Sequence, residues 1–192
     1  ITQTDRNTHQ LELVFNPLAG WDIHAELNYN VLSATRHWDK LVTYNHDVEG
    51  RPYAYDKGSN VHEDYKKENF FNVNIYSNYN WTIAEKNDFH VMLGFQTENM
   101  KQLVYGLQRN GVLDPLHPVV DLTNGMDYDG KEVTPSVNGA RNEWDTAGFF
   151  GRINYSYDSR YLAEVNLRYD GTSRFRSDRR WIWLPSVSLG WN

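Results

Sequence analysis

Apolar and polar side chains take turns along most of this chain. From Trp21 to Val31, the residues Trp21, Ile23, Ala25, Leu27, Tyr29 and Val31 alternate with Asp22, His24, Glu26, Asn28 and Asn30. A helix of 3.6 residues per turn smears such a pattern around its axis, whereas a strand places the two sets on opposite faces. The alternation returns at Phe71–Trp81, Phe89–Phe95, Phe149–Tyr157, Tyr161–Tyr169 and Trp183–Trp191, and a shorter run, Leu11, Leu13 and Phe15, precedes them all. Seven strands of about 11 to 16 residues and no helix are therefore predicted.

The connections alternate as well. Short turns are expected at Asn16–Gly20, Ala84–Asp88 and Asp158–Arg160. Long connections are expected from about Ser33 to Asn69 and from about Tyr105 to Glu143, with a medium one from Thr172 to Arg180. Short turns at one end and long loops at the other are the habit of an up-and-down barrel in an outer membrane, with the turns in the periplasm and the loops outside the cell.

Rings recur eight residues apart on the apolar faces: Trp21 and Tyr29, Phe71 and Tyr79, Phe149 and Tyr157, Tyr161 and Tyr169, Trp183 and Trp191. Eight residues span roughly 27 Å along a strand. A tilt near 40° leaves roughly 21 Å along a barrel axis. That is close to the apolar band of about 25 Å with its two aromatic girdles, where Tyr and Trp place one end in hydrocarbon and the other in water. These ten residues are the expected lipid-facing girdle. A soluble β-sandwich also alternates. Its strands average only about five or six residues, however, and its outer face does not repeat this ring spacing.

Composition changes the picture little. The chain has 192 residues, 13 Tyr, 7 Trp and no Cys, so disulfide scaffolds and thiolate metal sites are excluded. A net charge of −6 with acid and base interspersed offers no basic field for nucleic acid. Mean hydropathy is −0.72. Such a value suits a barrel wall, because only every second residue meets lipid. No apolar run is long enough for a transmembrane helix, and Ile1 opens the chain without a signal peptide.

The C-terminal third carries a family resemblance. The run Gly148-Phe-Phe-Gly-Arg-Ile-Asn-Tyr-Ser-Tyr-Asp158, then Arg160-Tyr-Leu-Ala-Glu-Val-Asn-Leu-Arg-Tyr-Asp-Gly-Thr-Ser-Arg-Phe175, resembles a barrel hairpin of SusC-like TonB-dependent transporters. Arg180-Trp-Ile-Trp-Leu-Pro-Ser-Val-Ser-Leu-Gly-Trp191 looks like that family's next strand, and Phe89–Thr97 resembles the arm of a preceding hairpin. The resemblance implies an all-β, antiparallel transmembrane barrel of Bacteroidota with about 22 strands and a plugged lumen, in the cell outer membrane. It implies import of oligosaccharides or peptides, energy from the TonB complex, and a SusD-like lipoprotein capping the outer mouth. Membrane lipid and lipopolysaccharide are further implied partners. On this reading residues 1–192 form part of one receptor barrel domain, with plug domain and TonB box outside the sequence. Seven strands are about a third of such a barrel and cannot close by themselves. A passive porin, a structural barrel and a soluble binding domain are the competing readings.

Candidate chemistry is sparse. No G-x-S-x-G, H-E-x-x-H or P-loop occurs, so no catalytic, cofactor or metal site is expected and the chain is not read as an enzyme. His24 and His90 are expected to face the lumen, while His37, His46, His62 and His117 are assigned to loops. Met126-Asp-Tyr-Asp-Gly130 lacks the spacing of a calcium loop and reads as a polar turn. Arg174–Arg180 reads as a solvated hairpin tip with internal Arg–Asp pairing. Trp38, Tyr44, Tyr53 and Tyr55 crowd one predicted loop and are the candidates for substrate contact, since rings stack on sugars and dominate binding hot spots.

Overall fold

The computed structural model describes all 192 residues. Seven strands form one antiparallel sheet. They are β1 (Thr2–Leu18), β2 (Trp21–Lys40), β5 (Asn60–Ile83), β6 (Asn87–Asn110), β7 (Ser136–Tyr157), β8 (Tyr161–Thr172) and β9 (Trp181–Trp191). Their spatial order is their order in the chain, a simple meander. The connection from β2 to β5 carries a separate two-stranded hairpin, β3 (Thr43–His46) and β4 (Pro52–Asp56). Two single 3-10 turns, at Val120–Leu122 and Ser177–Arg179, complete the structure.

The strands outrun their sequence pattern. β5 and β6 are each 24 residues long, and β2 reaches Lys40 where a loop was expected from Ser33. β1 holds 17 residues although only Leu11, Leu13 and Phe15 signalled it. His37, His46 and His62 accordingly lie in strands, not loops. The polar extensions are paired by backbone hydrogen bonds, such as His37 N–H to the Ile1 carbonyl at 2.8 Å. Those bonds need no apolar alternation. The turn at Asp158–Arg160 lies as predicted, and the other two are tighter, at Ala19–Gly20 and Ala84–Lys86.

Each hairpin of the seven-stranded sheet sets odd-numbered residues opposite odd ones, as where His9 stacks on Tyr29 across β1 and β2. Trp21 meets Tyr79, and Asn78 meets Asp22, across β2 and β5. Trp81 meets Phe89 across β5 and β6, and Phe95 meets Phe149 across β6 and β7. Ile153 pairs with Val165 across β7 and β8, and Val165 with Val187 across β8 and β9. One sheet face is thus built from odd residues throughout and the other from even ones.

The chain divides into two compact units. One comprises Ile1–Arg6, Leu32–Glu68 and Gln102–Asn142; the other comprises Asn7–Val31, Asn69–Lys101 and Glu143–Asn192. The first contains Val61, the one apolar side chain fully removed from solvent, and the buried Thr123. The second contains no buried hydrophobic residue, and no layer covers either of its faces.

Candidate functional site

The second unit holds all ten predicted girdle residues, and all lie on the odd face. Toward the short turns, Trp21 Nε1 donates to Ser77 Oγ at 2.7 Å, and the indole stands edge-on to Tyr79, centroids 6.3 Å apart. Tyr79 stacks on Trp81 and Trp81 on Phe89, both at 5.1 Å, and Phe89 meets Tyr155 at 4.9 Å. Tyr157 and Tyr161 continue the row at 6.4 Å. A second row runs through Phe95, Phe149, Trp181, Tyr169 and Trp183, with centroids between 4.4 and 6.5 Å. The pairing of Asn28 with Asn72 and Asp22 with Asn78 also sets Tyr29 opposite Phe71 on the same face. Ile75, Leu93, Ile153, Val165 and Val187 fill the space between the rows and are exposed, Leu93 to 64%. An apolar belt of this size is not left bare in water.

The even face of the same unit is a hydrogen-bonded polar surface. Asn78 donates to Asp22 at 2.7 Å, while Asn74 and the Tyr76 hydroxyl donate to Glu26 at 3.1 and 3.2 Å. His24 stacks on Tyr76 at 4.6 Å and lies within 3.3 Å of both Asp22 and Glu12. His90 bonds to Asn80. Arg152 donates to Asn166 at 2.6 Å, and Asn166 donates to Glu164. Arg168 grips Asp170 with both Nε and a terminal nitrogen, at 3.0 and 3.1 Å, and lies over the Phe150 ring. Polar side chains that solvate one another in this way suit a wet surface, not a hydrocarbon one.

The loop rings are divided. Trp38 sits in β2 on the even face and stacks on His62 at 3.4 Å. Tyr44 pairs with Ala54 and Asn45 with Tyr53, so Tyr44 occupies one face of the small hairpin and Tyr53 the other, while Tyr55 is the unpaired residue at a register shift between those pairs and Thr43–Asp56. All three tyrosines are exposed. The four residues therefore form no single platform.

Sequence reasoning missed a pair of matching loop tips. Asp47-Val-Glu-Gly-Arg51 and Asp127-Tyr-Asp-Gly-Lys131 fold alike. In each, the aspartate carboxylate accepts backbone N–H groups two and four residues on, at 2.8–3.0 Å. In each, the glycine has φ near +80°, at Gly50 and Gly130. The backbone N–H of Arg51 holds the Asp47 carboxyl below the usual carboxylate range. Lys57 reaches Asp129 at 2.8 Å and lies 4.9 Å from the Tyr128 ring centre, and the Asp129 hydrogen bond raises its pKa. The shared D-x-x-G-basic pattern was the available signal. The Lys57 link, spanning 72 positions, left none. Met126–Gly130 is thus a polar turn. In the other basic tip, Arg176 pairs with Asp178 at 3.4 Å and Arg174 lies over Trp144.

No group of three or more potential metal-ligating side chains occurs, and no helix is long and apolar enough to cross a membrane, which says nothing about strands.

A meander of long antiparallel strands, ringed and apolar on one face, polar and hydrogen-bonded on the other, and without a second layer, is the wall of an up-and-down β-barrel. The chain belongs to the TonB dependent receptor-like, beta-barrel family, whose profile matches residues 1–192. It is 34% identical to the TonB-dependent receptor SusC of Bacteroides thetaiotaomicron over 118 residues, 62% of this chain and 11% of that protein. It is 29% identical to the TonB-dependent receptor P39 of Formosa agariphila over 133 residues, 69% of this chain and 12% of the relative. The fold matches the structure of the RagAB peptide transporter with a TM-score of 0.79 at 18% identity, covering 98% of this chain and 20% of that one. The open-open state of the RagAB peptide importer gives 0.76 at 19%, with 97% and 20% covered. The chain thus spans 11–12% of these curated relatives and 20% of the solved chains.

Proposed function

We propose that this chain is part of the wall of an outer-membrane importer of the SusC type. The odd face meets lipid and the even face lines the lumen. The short turns lie in the periplasm and the long loops outside the cell. The observation that carries this reading is the odd-with-odd register across seven strands, which gathers the ring rows on one face that nothing covers. The outer strands β1 and β9 each leave one edge unpaired, which costs several kcal/mol per backbone group in hydrocarbon. The rest of a closed barrel satisfies those edges.

The transporter built on this wall imports oligosaccharides or peptides. A SusD-like lipoprotein covers the loops, and the TonB complex supplies energy from the periplasm. The similarity to SusC supports this assembly, and the likeness to a peptide importer keeps peptides beside glycans as cargo. Trp38, Tyr44, Tyr53 and Tyr55 contact cargo or the partner lipoprotein from separate positions. Lipopolysaccharide surrounds the outer end of the odd face. The wall carries no catalytic step.

Cysteine labelling of the full-length protein in its membrane tests the face assignment. A fluorophore at Ile153→Cys should be quenched by brominated lipid, and one at the adjacent Arg152→Cys should not. Equal quenching at both sites defeats the reading.

A further inference from the structure

Where β8 gives way to β9, the even face is hollowed. A cavity of about 370 Å³ opens between the ends of β6, β7 and β8 and the connection that leads from β8 to β9. Such a volume falls within the about 300–1,000 Å³ usual for small-ligand pockets. Its whole lining belongs to the second compact unit. The floor is internally satisfied. The Asp170 carboxylate lies across the bare backbone of Gly148, where a Cβ would overlap it, and both its oxygens accept from Arg168. Thr146 donates to Glu98 at 3.3 Å. The rim is not satisfied. Its one aspartate, Asp178, faces Arg176 at 3.4 Å, and Arg179 and Arg180 form no ion pair. Arg180 Nε donates to the Phe175 carbonyl at 3.0 Å, and the Thr172 N–H donates to the Arg180 carbonyl at 3.1 Å. These bonds pin the rim and leave the terminal nitrogens of Arg180 free. Three guanidiniums and two carboxylates line the cavity, so it holds one cation in surplus although the chain as a whole carries −6.

A surplus guanidinium pair calls for a planar anion, and a carboxylate takes two parallel N–H donors from such a group. The floor calls for something more. Glu98 and Asp170 keep lone pairs that can accept from hydroxyl groups, and the Phe175 ring stands at the edge to receive an apolar C–H face. A sugar residue that carries a carboxylate supplies all three features at once. An acidic peptide brings the anion but few hydroxyl donors for two acidic acceptors. We propose that Arg179 and Arg180 form a subsite for the carboxylate of a uronate sugar in the cargo, with Glu98 and Asp170 accepting its hydroxyls. The subsite rests on the orientation proposed above, because cargo meets the even face only if that face lines the lumen.

The test applies the labelled full-length protein, in detergent, to an array of immobilised probes. These are oligomers of galacturonate, glucuronate and mannuronate, their methyl esters, neutral and sulfated oligosaccharides, and glutamate-rich peptides. The wild type should be retained on a uronate oligomer and about tenfold less on its methyl ester, which keeps the hydroxyls and loses the charge. R179Q/R180Q should lose about tenfold on the same uronate, as expected when charge-assisted contacts go. R179K/R180K keeps both charges and should retain most of the binding, which shows that the rim tolerates change. R176Q, whose native guanidinium faces Asp178, should bind as the wild type does. Equal retention on uronate and methyl ester, or by wild type and R179Q/R180Q, overturns the subsite. So does retention confined to neutral, sulfated or peptide probes, or no retention at all. If Ile153→Cys is quenched by brominated lipid while any of these results is obtained, the subsite alone is wrong. If Ile153→Cys is not quenched, the orientation itself has failed.

Discussion

The Phe150 ring lies across the bare backbone of Gly94 on the neighbouring strand, so close that a Cβ at Gly94 would overlap it. Arg168 closes over the same ring, its guanidinium carbon 5.4 Å from the centroid. The aromatic side chain is thus held flat on the even face between a missing side chain and a cation. Gly94→Ala must displace the ring and loosen Arg168, at a cost of about 1–3 kcal/mol by the usual scale of overpacking. Urea unfolding of the full-length protein in micelles measures it. Phe150→Ala in the same chain should remove most of the penalty, and a double variant no more stable than Gly94→Ala alone contradicts the wedge.

Leu27 and Asn28 are neighbours on opposite faces. On the proposed orientation Leu27→Arg brings a charge into the lipid-facing belt and should cost about 2–4 kcal/mol near mid-membrane. Asn28, which donates to Asn72 at 3.3 Å on the polar face, should accept arginine with a far smaller loss. Comparing the fraction of each variant that folds into detergent-resistant barrel checks the difference.

The two matching loop tips give a paired prediction. Gly50 and Gly130 both take φ near +80°, where a Cβ costs roughly 1–2 kcal/mol. A Cβ at either would meet no other atom, so the backbone term stands alone. Gly50→Ala and Gly130→Ala should therefore loosen their tips by similar amounts without disturbing the wall. Hydrogen exchange at Arg51 and Lys131 reads this directly.

Acid should loosen the first of these tips at a definable point. Asp47 has its pKa lowered from 3.8, chiefly by the Arg51 N–H. A lowered carboxyl stabilises the folded tip fully above 3.8 and loses that contribution as pH falls through the lower folded value. Protection of the Arg51 amide should be flat from neutral pH down to about 5 and fall only in stronger acid. A loss near neutrality would contradict the assignment.

Sequence alone revealed the part of each strand that crosses the belt, and little else of its length. Trp21–Val31 announced itself because alternate residues meet different surroundings. The stretch from Leu32 to Lys40 continues the same strand through Arg36, His37, Asp39 and Lys40, where both faces are wet and the alternation fades. Backbone pairing holds such stretches, and backbone atoms are the same in every residue. The ring rows were legible for a related reason: an even spacing of eight residues within a strand keeps both rings on one face. Tyr44 and Tyr53 show the opposite case. Their neighbourhood in the chain suggested one platform, but the register of β3 against β4 divides them between two faces, and nothing in the residues themselves marks that register.

The odd-with-odd pairing governs how such a wall can change in length. Adding or losing one residue inside β5 would move every side chain beyond that point to the opposite face, bringing Asn72 and Asn74 among the rings and drawing Phe71 and Ile75 onto the polar face. Strands of this kind can therefore grow or shrink only two residues at a time, or absorb an odd residue in a bulge. The stretches from Leu41 to Ser59 and from Gly111 to Pro135 carry no such rule. Sequence drift should accumulate there, free to reshape the loops while the paired staves keep count.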